Sequence, residues 1–310
     1  MSKPIILDCD PGHDDAMAIL LARGCPDIDL LAITTVAGNQ TLEKTTLNAR
    51  RVCTVAGIDD VPIHAGCDRP LLRPPVTAPG VHGESGLDGP SFGEPTVPVA
   101  DEHAVDFLVR TLMASDGDIT LVPVGPLTNI AMALRREPRI AGRVRGVVLM
   151  GGAYTRGNWN PAAEFNMLAD PEAAAIVFEA GWPLTMVGLD LTHQARATQP
   201  VMDEIAAIGT PLSAMVVEMM KFFGETYRLT RGFDAPPVHD PCAVARVARP
   251  GLLTVRDAFV AVETQGRWTS GMTVTDFDQR LGHAANAEVA THLDADGFWT
   301  LMLDALRVLG

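Results

Sequence analysis

The sequence is short of cysteine, short of basic charge and without a long apolar run, and each shortage excludes something. Its five cysteines, Cys9, Cys25, Cys53, Cys67 and Cys242, stand far apart with no C-x-x-C pair and no even count, so no disulfide framework is expected and the reducing cytosol is the expected home. Lys+Arg number 24 against 38 Asp+Glu, a net charge of −14. That balance argues against a nucleic-acid partner, because phosphate backbones are bound through clustered Lys and Arg. No uninterrupted apolar stretch approaches bilayer-spanning length. The N-terminus passes from Met1-Ser2-Lys3-Pro4 into a short strand-like run, Ile5-Ile6-Leu7, with no signal-peptide core. No membrane association is expected, and neither an internal repeat nor a low-complexity linker is visible.

What is present is ample core material. Hydrophobic residues make up 47% and charged residues 20% of the 310, which excludes wholesale disorder. The length would fit two domains at roughly 150 residues each, yet single α/β domains often run this long. Apolar runs rich in Ile, Val and Leu alternate with helix-period segments, the pattern of parallel strands covered on both faces by crossover helices. Strands are predicted at residues 4–7, 29–36, 61–64, 119–124, 144–150 and 184–189, with helices at 14–23, 41–56, 102–114, 127–136 and 171–179. The last starts at a strong signal, Asp170 as N-cap and Pro171 at the first helical position. Residues 66–100 break the rhythm with seven prolines and six glycines and form a long connection, a type that is usually functional or mobile. Beyond Pro200 the pattern predicts helices at 211–227 and 240–247, strands at 257–263 and 272–275, and a terminal helix near 298–308. The economical reading is one domain over residues 1–310: an open, mostly parallel, doubly wound (Rossmann-like) α/β sheet with a helical elaboration in its C-terminal part.

The densest chemical signal is Asp8-Cys9-Asp10-Pro11-Gly12-His13-Asp14-Asp15, four carboxylates in eight residues where the first strand gives way to its helix. Carboxylates so close repel one another unless a cation or protons intervene, and the carboxyl end of a strand is where open α/β sheets bind ligands. The alternative is that Asp14 and Asp15 cap the helix while Asp8 and Asp10 face solvent. Hard oxygen donors of this density point to Ca²⁺ or Mg²⁺ rather than zinc.

A second cluster, Val238-His239-Asp240-Pro241, sets an imidazole beside a carboxylate at the head of a helix; Asp240 as a mere N-cap and His239 as a surface residue is the other reading. A third, from Gly157-Asn158-Trp159-Asn160 to Glu164-Phe165-Asn166, offers amides that both donate and accept, as a polyhydroxylated ligand requires, although Asn is also an ordinary turn former. Ala37-Gly38-Asn39 and Val124-Gly125-Pro126-Leu127-Thr128-Asn129 follow the second and fourth predicted strands. In a parallel sheet all five segments converge on one edge.

These segments resemble the inosine-uridine preferring nucleoside hydrolases. Asp8 to Ala16 looks like that family's N-terminal signature. Val81-His82-Gly83-Glu84-Ser85-Gly86-Leu87, Gly125 to Asn129, Pro161 to Asn166 and Val238 to Cys242 resemble its further blocks in the same order. The resemblance implies a Ca²⁺ held by Asp10, Asp15, Asp240 and the Val124 carbonyl, with Asp8 supporting the cluster from behind. It places ribose against Asp14, Asn39, Asn158, Glu164 and Asn166. It implies hydrolysis of the N-glycosidic bond of a nucleoside through an oxocarbenium-like state, with Asp10 as the base that takes a proton from water. His239 is the candidate acid for the departing nucleobase, and His82 sits on a loop that closes over the site. A homodimer or homotetramer is also implied. The resemblance puts the base pocket near Phe222, Phe223, Tyr227 and Arg231. Core packing explains Phe222 and Phe223 equally well, whereas Tyr227 and Arg231, four apart, can share one helix face. Purine or pyrimidine preference is not legible. Two other readings of Asp8-x-Asp10 were weighed: a Mg²⁺-dependent aspartyl phosphohydrolase, which lacks its later lysine-and-acid pair here, and a non-catalytic Ca²⁺/ribose-binding protein.

Overall fold

The computed structural model describes residues 2–310. Its ten strands are β1 (Lys3–Cys9), β2 (Ile28–Thr35), β3 (Ile63–Ala65), β4 (Val99–Ala100), β5 (Thr120–Pro123), β6 (Gly146–Met150), β7 (Leu184–Val187), β8 (Leu253–Val262), β9 (Thr273–Asp276) and β10 (Ala287–Leu293). The helices are α1 (His13–Gly24), α2 (Leu42–Val55), α3 (Pro79–His82), α4 (Ala104–Ala114), α5 (Thr128–Arg136), α6 (Phe165–Ala169), α7 (Pro171–Phe178), α8 (Leu189–Thr192), α9 (Gln199–Ala207), α10 (Pro211–Arg231), α11 (Pro241–Ala248) and α12 (Ala295–Leu309).

The strands form one sheet in the order β4-β3-β2-β1-β5-β6-β7-β10-β8-β9. From β1 the chain winds outward through β2, β3 and β4, then returns to the other side of β1 with β5, β6 and β7. The order therefore reverses between β1 and β5, which pair in parallel from Ile5 opposite Thr120 to Asp8 opposite Pro123. β8 runs antiparallel to both β10 and β9, so the sheet is mostly parallel with an antiparallel margin. β1 shows why its sequence is continuously apolar. Ile5, Leu7 and Cys9 pack into one core with α1, α2, α10, α11 and α12, while Ile6 packs into the other with α4, α5 and α7. A strand covered on both faces has no polar side.

All of the predicted elements form, with ends shifted by up to four residues. Those the pattern did not anticipate are α3 and β4 inside the proline-rich connection, the short α6 and α8, α9, and the strand β10. β10 (AEVATHL) is interrupted by polar residues because β8 and β7 flank it while Glu288 and His292 reach the surface. In α10 Thr210 and Ser213 form a capping box with Pro211 in the first turn, and Gly232 ends the helix at φ +70°, a position that favours glycine. At 21 residues the helix is about 30 Å long and carries Phe222, Phe223, Tyr227 and Arg231 along the carboxyl edge of the sheet. No helix among the described residues is long and apolar enough to cross a membrane.

Candidate active site

The reversal of strand order between β1 and β5 opens a crevice at their carboxyl ends, and the acidic motif lies in it. β1 ends at Cys9, so Asp10 follows the strand directly, and Asp14 and Asp15 occupy the first turn of α1. One carboxylate oxygen from each of Asp14, Asp15 and Asp240 lies within 4.8 Å of the other two. Asp10 adjoins this trio through Asp15: the Asp10 backbone N–H donates to Asp15 Oδ1 (2.9 Å). Asp15 Oδ2 accepts from the Gly12 N–H (3.0 Å) and Asn39 Nδ2 (3.1 Å). The Asn39 N–H donates to Asp10 Oδ2 (2.6 Å).

None of these carboxylates faces open solvent. Asp10 and Asp15 are 0% exposed, and Asp8 Oδ2, Asp10 Oδ1 and Asp14 Oδ1 are buried without a partner. Burial pushes every carboxyl of the cluster upward: Asp14 to about 8, with Asp15 beside it adding to the shift, and Asp10 and Asp240 well above the ordinary carboxylate range. Asp8 is raised to about 7 by burial, against hydrogen bonds from Asn129 and Thr34. The Asn129 bond, 2.7 Å to Asp8 Oδ1, holds Asp8 behind Asp10. Two glycines make room for the Asp10 carboxylate. A Cβ on Gly38 would stand 2.1 Å from its Oδ2, and one on Gly125 would stand 2.5 Å from its Oδ1. The capping alternative fails for Asp240, whose side chain makes no cap hydrogen bond to α11, and Asp8 and Asp10 do not face solvent.

Above the cluster a cleft enclosing about 510 Å³, its open mouth included, is lined by Asp14, Asn39, His82, Val124, Asn158, Glu164, Asn166, Tyr227, Arg231, His239 and Asp240. All eight residues expected to meet the substrate are on its wall, whereas Asp10 and Asp15 lie beneath it. Several are also held by the backbone. Glu164 caps α6, its Oε1 accepting from the Asn166 N–H (2.8 Å) and its Oε2 from Gly152 (3.0 Å) and Met167 (3.2 Å); burial raises it to about 7 against those bonds. Asn166 Nδ2 donates to the Val124 carbonyl (2.7 Å), and Asn158 Oδ1 accepts from the Phe165 N–H (2.9 Å).

His239 is buried, not a surface residue. Its Nδ1 lies 2.7 Å from Thr192 Oγ1 and its Nε2 2.8 Å from the Tyr227 hydroxyl. Burial, then His193 and Arg196, hold its imidazole well below the usual range; burial likewise raises the Tyr227 hydroxyl. His82 closes α3 and is buried in the cleft wall, with Nδ1 3.0 Å from His13 Nδ1. Phe223 is fully buried and Phe222 partly so, and both stack on His13 at centroid distances of 5.0 and 5.5 Å. Core packing was the right account of them. Sequence reasoning missed the apolar wall: Ala78, Val81, Met150, Trp159 and Phe165. Trp159, 39% exposed between two asparagines, was the one readable signal.

The comparisons agree with this geometry. Residues 5–300 match the family model described as inosine-uridine preferring nucleoside hydrolase. An inosine-uridine preferring nucleoside hydrolase of Crithidia fasciculata is 51% identical over 312 residues, covering 100% of this chain and 99% of that protein. The pyrimidine-specific ribonucleoside hydrolase RihA of Escherichia coli O1:K1 / APEC is 46% identical over 308 residues, 99% of each. Among solved structures, the purine-preferring ribonucleoside hydrolase from Gardnerella vaginalis superposes with a TM-score of 0.93 at 31% identity, over 99% of both chains. Fold and site thus define an enzyme, a ribonucleoside hydrolase that cleaves an N-glycosidic bond. The chain belongs to the inosine-uridine preferring nucleoside hydrolase family. The phosphohydrolase and the non-catalytic binder are thereby set aside.

Proposed function

We propose that the enzyme hydrolyses ribonucleosides of the inosine and uridine type to ribose and free base in a Ca²⁺-dependent reaction. The observation that carries the metal is the set of buried oxygens without partners at Asp10 and Asp14, within a carboxylate cluster whose members raise one another's pKa. Buried charges of one sign are stable only when paired or coordinating. The donors are all hard oxygens, which suits calcium. Asp10, Asp15, Asp240 and the Val124 carbonyl would hold it, with Asp14, the third member of the close trio, directed to the ribose. A bound Ca²⁺ would supply Lewis acidity that lowers the pKa of water.

The protein's own residues do the rest. Asp10 Oδ1, bare while Oδ2 is fixed by Asn39, takes the proton of the attacking water. Asp14, Asn39, Asn158, Glu164 and Asn166 bind the ribose hydroxyls and direct oxygens toward the cationic ring. His239 and Tyr227, hydrogen-bonded at 2.8 Å, form the unit that protonates the leaving base. Both ring nitrogens of His239 are already occupied, and it is neutral. Tyr227 and Arg231 meet the base edge, as Trp159 does with its ring. Acceptance of inosine and uridine is supported by the 51% identity to the Crithidia fasciculata enzyme. The reading includes a cytosolic homodimer or homotetramer, in keeping with five free thiols; light scattering tests the assembly. Ribose release from inosine, uridine, cytidine and adenosine, with and without a calcium chelator, tests the activity. Chelator-resistant release would refute the metal, and release from cytidine alone would refute the base assignment.

A further inference from the structure

We infer that His13 is a positioning residue that fixes the tautomer of His82, so that His82 presents a bare Nε2 to the cleft as acceptor for an O–H or N–H of the bound nucleoside. The inference rests on the hydrolase reading only in taking the cleft's ligand to be a nucleoside.

The argument is a proton count along three groups. The Asp88 carbonyl can only accept, and His13 Nε2 lies 2.9 Å from it, so that nitrogen carries the hydrogen. The His13 ring is buried, stacked on Phe223, and hydrogen-bonds no carboxylate. It is therefore neutral, and its Nδ1 is bare. His82 Nδ1, 3.0 Å away, must then bring the hydrogen to that contact. A neutral ring has one N–H, so Nε2 of His82 is left as an acceptor. The Nδ1 and Cε1 edge of His82 is the one that faces Gly12, where an added Cβ would come within 2.5 and 2.7 Å. The opposite side of the ring carries Nε2, which has no partner in the protein, and His82 lines the cleft. The His13 backbone N–H also approaches His82 Nδ1, at 3.3 Å. It stands at the first position of α1, where N–H groups lack intrahelical partners, and the ring contact is the shorter one.

The loop around His82 does not depend on His13. Gln40 Nε2 donates to the Gly83 carbonyl (3.1 Å) and Asn48 Nδ2 to the Ser85 carbonyl (2.9 Å). Removing the His13 nitrogens should therefore change the His82 ring and not the loop.

The test uses full-length protein labelled with ¹⁵N-histidine, in which long-range ¹H–¹⁵N spectra show which nitrogen of each ring is protonated; His82→Gln assigns the His82 signals. Wild type should show His82 protonated at Nδ1. In His13→Phe, which keeps the stack and removes both nitrogens, His82 should lose that preference and kcat/KM should fall about three- to tenfold, the worth of one hydrogen bond. His13→Asn, which returns an acceptor near the Nδ1 position, should restore both. A wild-type His82 protonated at Nε2 would overturn the inference, and this reading needs no variant to fold. A His13→Phe protein with unchanged His82 signals and kcat/KM would overturn it as well.

Discussion

The backbone N–H of Asn39 donates to Asp10 Oδ2 at 2.6 Å and leaves the other oxygen of that carboxylate, Oδ1, buried and without a partner. One loop, following β2, thus fixes the orientation of an acid that follows β1, and the fixed orientation aims a bare oxygen toward Gly125 and the crevice. An acid held this way is prepared to accept a proton without rearranging.

Asp10→Asn should reduce kcat by about 10²–10⁴, the usual share of a general base, without unfolding the protein. Because it removes a buried unpaired charge, its melting temperature in chelator should equal or exceed that of wild type. Activity near wild type would remove Asp10 from the proposed mechanism.

Gly125→Ala should cost on the order of 10²-fold in kcat/KM, since displacing a reacting group by about 1 Å has that effect and the new Cβ would lie 2.5 Å from Asp10 Oδ1. Steady-state kinetics beside circular dichroism distinguish this from unfolding. A native spectrum with unchanged kinetics would mean that the carboxylate has room to move.

Calcium should stabilise the fold. A ligand at about one hundred times its Kd adds about 2.7 kcal/mol, so the melting temperature should rise with added Ca²⁺ and fall with chelator. The response should be lost in Asp240→Asn. No shift on chelation of the wild type would argue against a metal at this cluster.

The acid side of the stability curve should involve His193. Burial, with Arg196 beside it, lowers this imidazole from 6.5 to about 4. Above pH 6.5 both folded and unfolded forms are neutral. Between 6.5 and about 4 only the unfolded chain takes up the proton, so stability falls as the pH falls through that window. His193→Asn should show a shallower loss across it in urea denaturation, and an unchanged slope would exclude His193 as a contributor.

The sequence alone determined the layering and the chemistry of the edge. Period-2 alternation is absent from Ile5-Ile6-Leu7 because both faces of β1 are buried, and that gives a parallel, doubly wound sheet whose loops after β1, β2, β5 and β6 lie on one side. Carboxylates, amides and histidines placed in those loops name a cation and a sugar, and their order along the chain resembles one family. Only the tertiary structure decided which of them touch. Asp14, Asp15 and Asp240 are brought within 4.8 Å of one another by packing of α11 against α1, more than 220 residues apart in the chain, and no local pattern encodes that approach. Whether His239 was a surface residue or a buried one depended on Thr192 and Tyr227, contributed by α8 and α10. The polar strand β10 and the apolar wall at Trp159 and Phe165 were likewise settled by neighbours, because propensity and spacing are local while burial, and the pKa shifts it causes, belong to the assembled fold.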